Sequence, residues 1–256
     1  MATLSKGALL DRVINPIRAA GWNIVFLNRQ HPYNLAIFKD EQSFRARLYI
    51  WNVTHGGGPV RASTEYRIQI TDVSRPLTAP SGFQTLLFGW YEDLGVVAAF
   101  DPERHRSPSA ASPSIQISMN TLREASANGL AVQPRGNQEI ALSFRPELLL
   151  SYIGNQRAFH GFGGDPHDID LLVEAGAGHD IPEEEIQTVP SERERVIRTV
   201  ATRRREASFR QRVLVAYNYT RAMCHLQLDL VEAAHILPVA IPDSTDETAN
   251  GLTAAM

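Results

Sequence analysis

Residues 44–70 read FRARLYIWNVTHGGGPVRASTEYRIQI, and this stretch decides the fold class. From Phe44 the side chains alternate. Phe44, Ala46, Leu48 and Ile50 fall on one face and Arg45, Arg47 and Tyr49 on the other, a period of two that belongs to a strand. Three consecutive glycines and Pro59 then force a turn. Beyond it the alternation resumes, with Tyr66, Ile68 and Ile70 set against Arg67 and Gln69.

Working outward, the same strand grammar recurs on both sides. Residues 5–20 come first and read as an amphipathic helix, because Leu9, Leu10, Val13, Ile14 and Ile17 recur at helical spacing and Gly21 can end it. Strands are expected at 22–27 and 34–38. Residues 85–91 and 96–100 form a hairpin around a tight turn at 92–95. A polar loop follows at 101–113, then a strand at 114–118 and a helix at 120–128 closed by Gly129. A strand at 139–144 and a helix at 146–153, opened by Pro146, complete the pattern. The expected class is α+β, with an antiparallel sheet dominating the N-terminal domain.

Residues 160–192 change character. Gly161, Gly163, Gly164, Gly176 and Gly178 crowd together, and the acidic run Glu183, Glu184 and Glu185 follows. This reads as an inter-domain connection. The expected organisation is a recognition domain at 1–178, a linker at 179–192 and a second, basic module at 193–256.

A hydrophobic fraction of 43% suffices for a sizeable core. There is no apolar run of about 18 residues, so no membrane span is expected. Arg12 and Arg18 interrupt the N-terminus, which lacks a signal-peptide stretch, and a cytoplasmic protein is the default expectation. Cys224 is the sole cysteine, which excludes an intrachain disulfide and a zinc site built on paired cysteines. The net charge of −3 argues against a generic nucleic-acid coat. Arginine nevertheless supplies 23 of the 25 basic side chains, the lysines being Lys6 and Lys39. Its planar fork suits phosphates and guanine edges, although a GC-rich genome gives the same bias. Eight arginines fall within residues 193–212, with Arg203, Arg204 and Arg205 consecutive. They read either as a solvated helix or as a phosphate-contacting segment.

That segment leads into residues 209–252, FRQRVLVAYNYTRAMCHLQLDLVEAAHILPVAIPDSTDETANGL. A helix with Val213, Leu214, Ala216 and Tyr217 on its apolar face precedes Cys224. An apolar strand at 228–234 then delivers His235, and a polar loop ends at Asn250, Gly251 and Leu252. The elements Phe209-Arg210, Val213-Leu214, Ala216-Tyr217, Cys224, Val231-Glu232-Ala233-Ala234-His235-Ile236, Pro238 and Asn250-Gly251-Leu252 resemble, in order and spacing, the restriction-associated branch of the HNH endonuclease family. The resemblance covers about 45 residues. The run from Tyr49 through Thr71 is similar to N-terminal regions of HNH restriction proteins.

The resemblance implies a partial ββα-metal (HNH) module. It implies His235 as the base that activates water, and Asn250 as the residue that braces the connecting loop. It also implies Mg²⁺ or a similar divalent ion in the complete enzyme. Two departures stand out. The sequence ends at Met256, before the helix carrying the second histidine, whether by natural shortening or by truncation, so this chain alone is expected to be catalytically impaired and to have no certain metal. Ala234 also stands where many relatives carry a metal ligand, leaving Glu232 as the metal candidate in reach. His225 reads as a surface residue and Cys224 as a small buried hydrophobe.

The expected function is a restriction-type DNA endonuclease, a hydrolase of antiviral defence, whose N-terminal domain recognises specific or modified double-stranded DNA. Arg61, Arg67 and Gln69 are the candidates for phosphates and base edges, joined by Arg203, Arg204 and Arg205. Trp51, His55, Trp90 and Tyr91 are candidates for stacking on a flipped base, with core packing as the competing reading for Trp51 and Trp90. No membrane partner is expected, and a homodimer is left open. Two rivals stand beside this. One is a sensor-effector defence protein whose N-terminal domain binds a small signalling molecule. The other is a non-catalytic DNA-binding protein with a decayed nuclease part.

Overall fold

A computed structural model describes residues 3–56, 62–107, 113–220, 222 and 231–255. The chain divides into two units, residues 1–200 and 201–256. The Arg61 candidate, the turn at 57–59, Cys224 and His225 lie outside the described residues.

Unit 1 opens with α1 (Lys6–Ala19), capped by Ser5, whose Oγ accepts from the Ala8 amide at 3.3 Å. Then follow β1 (Asn23–Asn28), β2 (Tyr33–Lys39), β3 (Gln42–Asn52), β4 (Thr54–His55) and β5 (Glu65–Gln69). After β6 (Gln84–Tyr91), β7 (Val96–Phe100) and β8 (Ser114–Ser118) come α2 (Met119–Asn128), β9 (Leu130–Pro134) and β10 (Ile140–Phe144). The helices α3 (Leu149–Gly161), α4 (Pro166–Ala177) and α5 (Glu183–Ile186) complete it, with the first part of α6 (Ser191–Ala216).

Seven strands form one sheet in the order β1-β2-β3-β6-β7-β10-β9, and β4-β5-β8 form a second. Every pair is antiparallel except β3 with β6, which run parallel from Ala46 opposite Gln84 to Asn52 opposite Trp90. The α+β class with an antiparallel-dominated sheet therefore holds.

The quoted stretch explains why two layers flank the large sheet. Ala46, Leu48 and Ile50 are fully buried on one face of β3. The opposite face is polar only at its start. From Tyr49 onward it too is buried, packed with Trp51, Tyr66, Ile68, Ile115 and Leu122 beneath the small sheet and α2. Burying amphipathic rings requires partners for their polar atoms. Tyr49 Oη donates to the Thr78 carbonyl at 3.0 Å, and Trp51 Nε1 to the Thr71 carbonyl at 3.2 Å.

Residues 160–192 read in sequence as an inter-domain connection. In the fold they build α4 and α5 and belong to unit 1, which runs on to Val200 rather than ending near 178. Their glycines serve close packing. A Cβ on Gly163 would fall inside the Gln138 carbonyl group, and one on Gly176 would lie 2.6 Å from Leu130 Cβ. The acidic run is also tied down. Arg198 of α6 bonds both Glu183 and Glu194, and Arg193 pairs with the buried Asp168. The hydrogen bonds from Arg198 and Gln187 hold Glu183 down at about 2. No helix among the described residues is long and apolar enough to cross a membrane.

Two half-buried histidines are expected to make unit 1 sensitive to acid. His31 Nε2 accepts from the Ile50 amide at 3.0 Å. Burial lowers its imidazole to about 3, with the nearby Lys6 charge adding to the effect. Burial also lowers His160 to about 4. Between these values and the ordinary 6.5 the folded chain keeps both rings neutral, while the unfolded chain takes up protons. Their stabilising contribution is complete above about pH 6.5 and falls away as the pH drops toward the lowered values. His31→Gln keeps an acceptor for the Ile50 amide. It is expected to reduce proton uptake on unfolding by about one between roughly pH 6 and 4. Urea unfolding at stepped pH measures this, and an unchanged slope would contradict it.

Candidate functional site

Unit 2 begins within α6 and contains a hairpin of β11 (Val231–His235) and β12 (Gly251–Ala255). The pairing runs from Val231 opposite Ala255 to His235 opposite Gly251, so His235 is the last paired residue before the loop. The helix meets the hairpin at a glycine for a steric reason. A Cβ on Gly251 would overlap Val213 and press on Phe209, both buried on α6. Tyr217 Oη donates to the Gly251 carbonyl at 3.3 Å, and Thr253 Oγ1 to the Thr220 carbonyl at 2.6 Å. The Asn-Gly-Leu run thus marks the place where backbone must approach helix.

His235 is fixed on two sides. Its ring lies flat on Phe209, centroids 3.8 Å apart and 4° from parallel. Its Nε2 bonds Asp246 Oδ1 at 2.8 Å. An ionised carboxylate only accepts, so in the neutral ring this bond assigns the proton to Nε2 and leaves the lone pair on Nδ1.

Asn250 holds the loop between the strands. Its Oδ1 accepts from the Leu237 amide at 2.8 Å, while Nδ2 donates to the Thr245 carbonyl at 2.8 Å, the Leu237 carbonyl at 3.2 Å and Ser244 Oγ at 3.3 Å. Asn250→Ala leaves the Leu237 amide without this acceptor and frees the loop. We expect it to lower the stability of unit 2 by about 1–3 kcal/mol and to speed hydrogen exchange at Leu237. Exchange at Leu237 as slow as in the unmodified chain would show that the side chain does not brace the loop.

Asp246 escaped the sequence reading. It sits in a polar loop, eleven residues from its histidine, and only the fold brings them together. Glu232 is not brought to His235, because strand alternation puts the two on opposite faces of β11. Among the described residues, no group of three His, Cys, Asp or Glu side chains could hold a metal ion. His235 and Asp246 alone do not fit a divalent ion.

The remaining candidates fall into four situations. Arg67 and Gln69 lie on β5 on the face opposite the buried Tyr66 and Ile68, Arg67 half-buried and Gln69 exposed. Arg203 pairs with Glu206 at 2.9 Å, Arg204 is half-buried with a partner, and Arg205 is exposed. Trp51, Trp90 and Tyr91 are only 4–5% exposed, so they are core residues and present no ring to a base. Trp90 Nε1 is satisfied by Glu92, and Tyr91 meets Tyr66 edge-on at 5.4 Å. His55 is half-buried against Tyr66, its Nε2 3.3 Å from the Ala62 carbonyl.

Residues 44–153 match the family model described as methylase-associated X1. The matched region runs from β3 into α3 and so covers most of the large sheet and all of the small one. It takes in less than half of the chain. The description suggests a protein associated with restriction-modification. The comparisons found no match among curated proteins or solved structures.

Proposed function

We propose that this chain carries the recognition part and the first elements of an HNH nuclease domain of a restriction-type DNA endonuclease. The observation that carries the reading is the fixed imidazole of His235. It sits at the mouth of a β-hairpin, its proton directed to Asp246 and its free Nδ1 lone pair at a half-buried surface. The methylase-associated match supports the same setting, since a methylase can mark host DNA against such an enzyme.

The chemistry follows from the tautomer. Nδ1 of His235 takes a proton from water as the water oxygen attacks phosphorus and the bond to the leaving sugar oxygen breaks. Asp246 orients the ring and stabilises the imidazolium that forms, the part an acid plays behind a catalytic histidine. A divalent ion would supply charge stabilisation at the phosphate. The test is metal-dependent cleavage of modified and unmodified duplex DNA by the full-length protein and its His235→Ala variant.

A further inference from the structure

Unit 1 contains a half-open cavity of about 520 Å³. It lies where the first residues of β6 meet α3 and the loops around 77–83 and 101–106. A second hollow of about 440 Å³ adjoins it, sharing Phe83, Gln84, Gln156 and Arg157 as a common wall. The volume suits a small organic ligand rather than a few waters. None of the residues proposed as base-stacking candidates from sequence lines it.

The lining has a definite chemical character. Arg106 and Arg157 border the first cavity and Arg195 the second. All three are exposed, and none of these guanidinium groups has a hydrogen bond or ion pair. Other arginines of the unit have carboxylate partners, as Arg193 has Asp168 and Arg198 has Glu183, while Arg18, Arg45 and Arg123 are exposed without one. Carboxylates are present as well: Asp101 and Glu103 in the first cavity and Glu192 in the second. Phe83 offers an aromatic face. Gln84 lines the wall with its Nε2 amide buried and unpartnered. Buried polar atoms without partners are uncommon and call for an explanation.

We propose that this cavity binds a nucleotide, with the base against Phe83, Gln84 and Asp101 and the phosphate at Arg157 and Arg195. A ligand that is only anionic would be repelled by Asp101, and one that is only apolar would leave Gln84 unsatisfied. A base has a flat face for Phe83, acceptors for an amide and donors for a carboxylate. Its phosphate answers unpaired guanidiniums. The same chemistry has two sources, a nucleotide turned out of duplex DNA or a free nucleotide. The inference rests on the reading above only in admitting DNA as a source.

The experiment is a binding titration with the full chain carrying His235→Ala, so that no cleavage intervenes. One arm uses duplex DNA with cytosine, 5-methylcytosine or a mismatch at one position. The other uses free ribo- and deoxyribonucleoside monophosphates. Arg157→Ala is exposed and should leave stability unchanged. Gln84→Leu removes an unsatisfied amide and should leave stability unchanged or raised. Each is expected to weaken binding about tenfold or more. If free nucleotides bind and DNA does not, the ligand is soluble. If DNA binds, favouring the mismatch or modified base, and nucleotides only compete weakly, the source is an extruded base. The proposal is overturned if neither arm binds, or if both variants bind as the parent does. Loss of cleavage is read separately, so a failure of the nuclease reading leaves this result standing.

Discussion

Replacing His235 by alanine in the full-length protein is expected to lower the rate of DNA cleavage by at least about 10²–10⁴-fold, the range for removal of a general base, while DNA affinity stays near that of the parent. The asymmetry is the diagnostic part. A base acts in the transition state, so its loss reduces turnover and leaves ground-state binding alone. Asp246→Asn separates orientation from proton transfer. The amide can still meet Nε2, but it offers a donor as readily as an acceptor and removes the charge that supports imidazolium, so a smaller loss is expected. A structural role for His235 would give another pattern. Its ring packs on Phe209, so a merely structural loss would lower the melting temperature and affinity together, and His235→Gln would restore most of both. Cleavage by His235→Ala at the parent rate would remove the proposal outright.

The legibility of this chain in its sequence differs from place to place for physical reasons. The period-two alternation around Phe44 marks β3 well because one face is uniformly apolar. It leaves Trp51 between core packing and stacking on a base, because an amphipathic ring suits both, and the Thr71 carbonyl that satisfies its Nε1 is visible only in the fold. β9, which pairs with β10 at the sheet edge, gave no signal, because a five-residue strand that ends in Gln133 and Pro134 has too few alternating residues. A bracing role for Asn250 came from the HNH resemblance alone, and the structure gives the side chain hydrogen bonds across the loop. Asp246 was not legible, because a carboxylate in a polar loop has no sequence mark of its partner. The cavity was least visible: Phe83, Asp101 and Arg157 come from separate elements and converge only through the tertiary fold.

The glycines of residues 161–178 give the sharpest test of packing against flexibility. In a linker, alanine would be harmless or stabilising at every non-left-handed glycine, by narrowing the unfolded ensemble. The structure requires instead that the positions differ. Gly163→Ala places a methyl group inside the Gln138 carbonyl, and backbone cannot swing away as a side-chain tip can. Overpacking of this kind costs about 1–3 kcal/mol and occasionally more, and we expect the upper end here, near a hundredfold shift in the folding equilibrium. Gly176→Ala should cost less, since its overlap is smaller, 2.6 Å from Leu130 Cβ against 2.0 Å from the Gln138 carbonyl oxygen, though Leu130 Cβ yields only with β9. Gly164→Ala meets nothing within 4 Å and should be neutral or slightly stabilising, and Gly161→Ala meets only Arg193 Nε at 3.9 Å and should behave likewise. Gly178 has a φ of +82°, so its alanine variant is strained by backbone conformation alone and is left out of the series. Chemical unfolding of the four variants settles the order. Four equal, near-zero effects would restore the linker reading, whereas a large loss at Gly163 with none at Gly164, its direct neighbour, marks the tight turn between α3 and α4 as close-packed against the residues that precede β10.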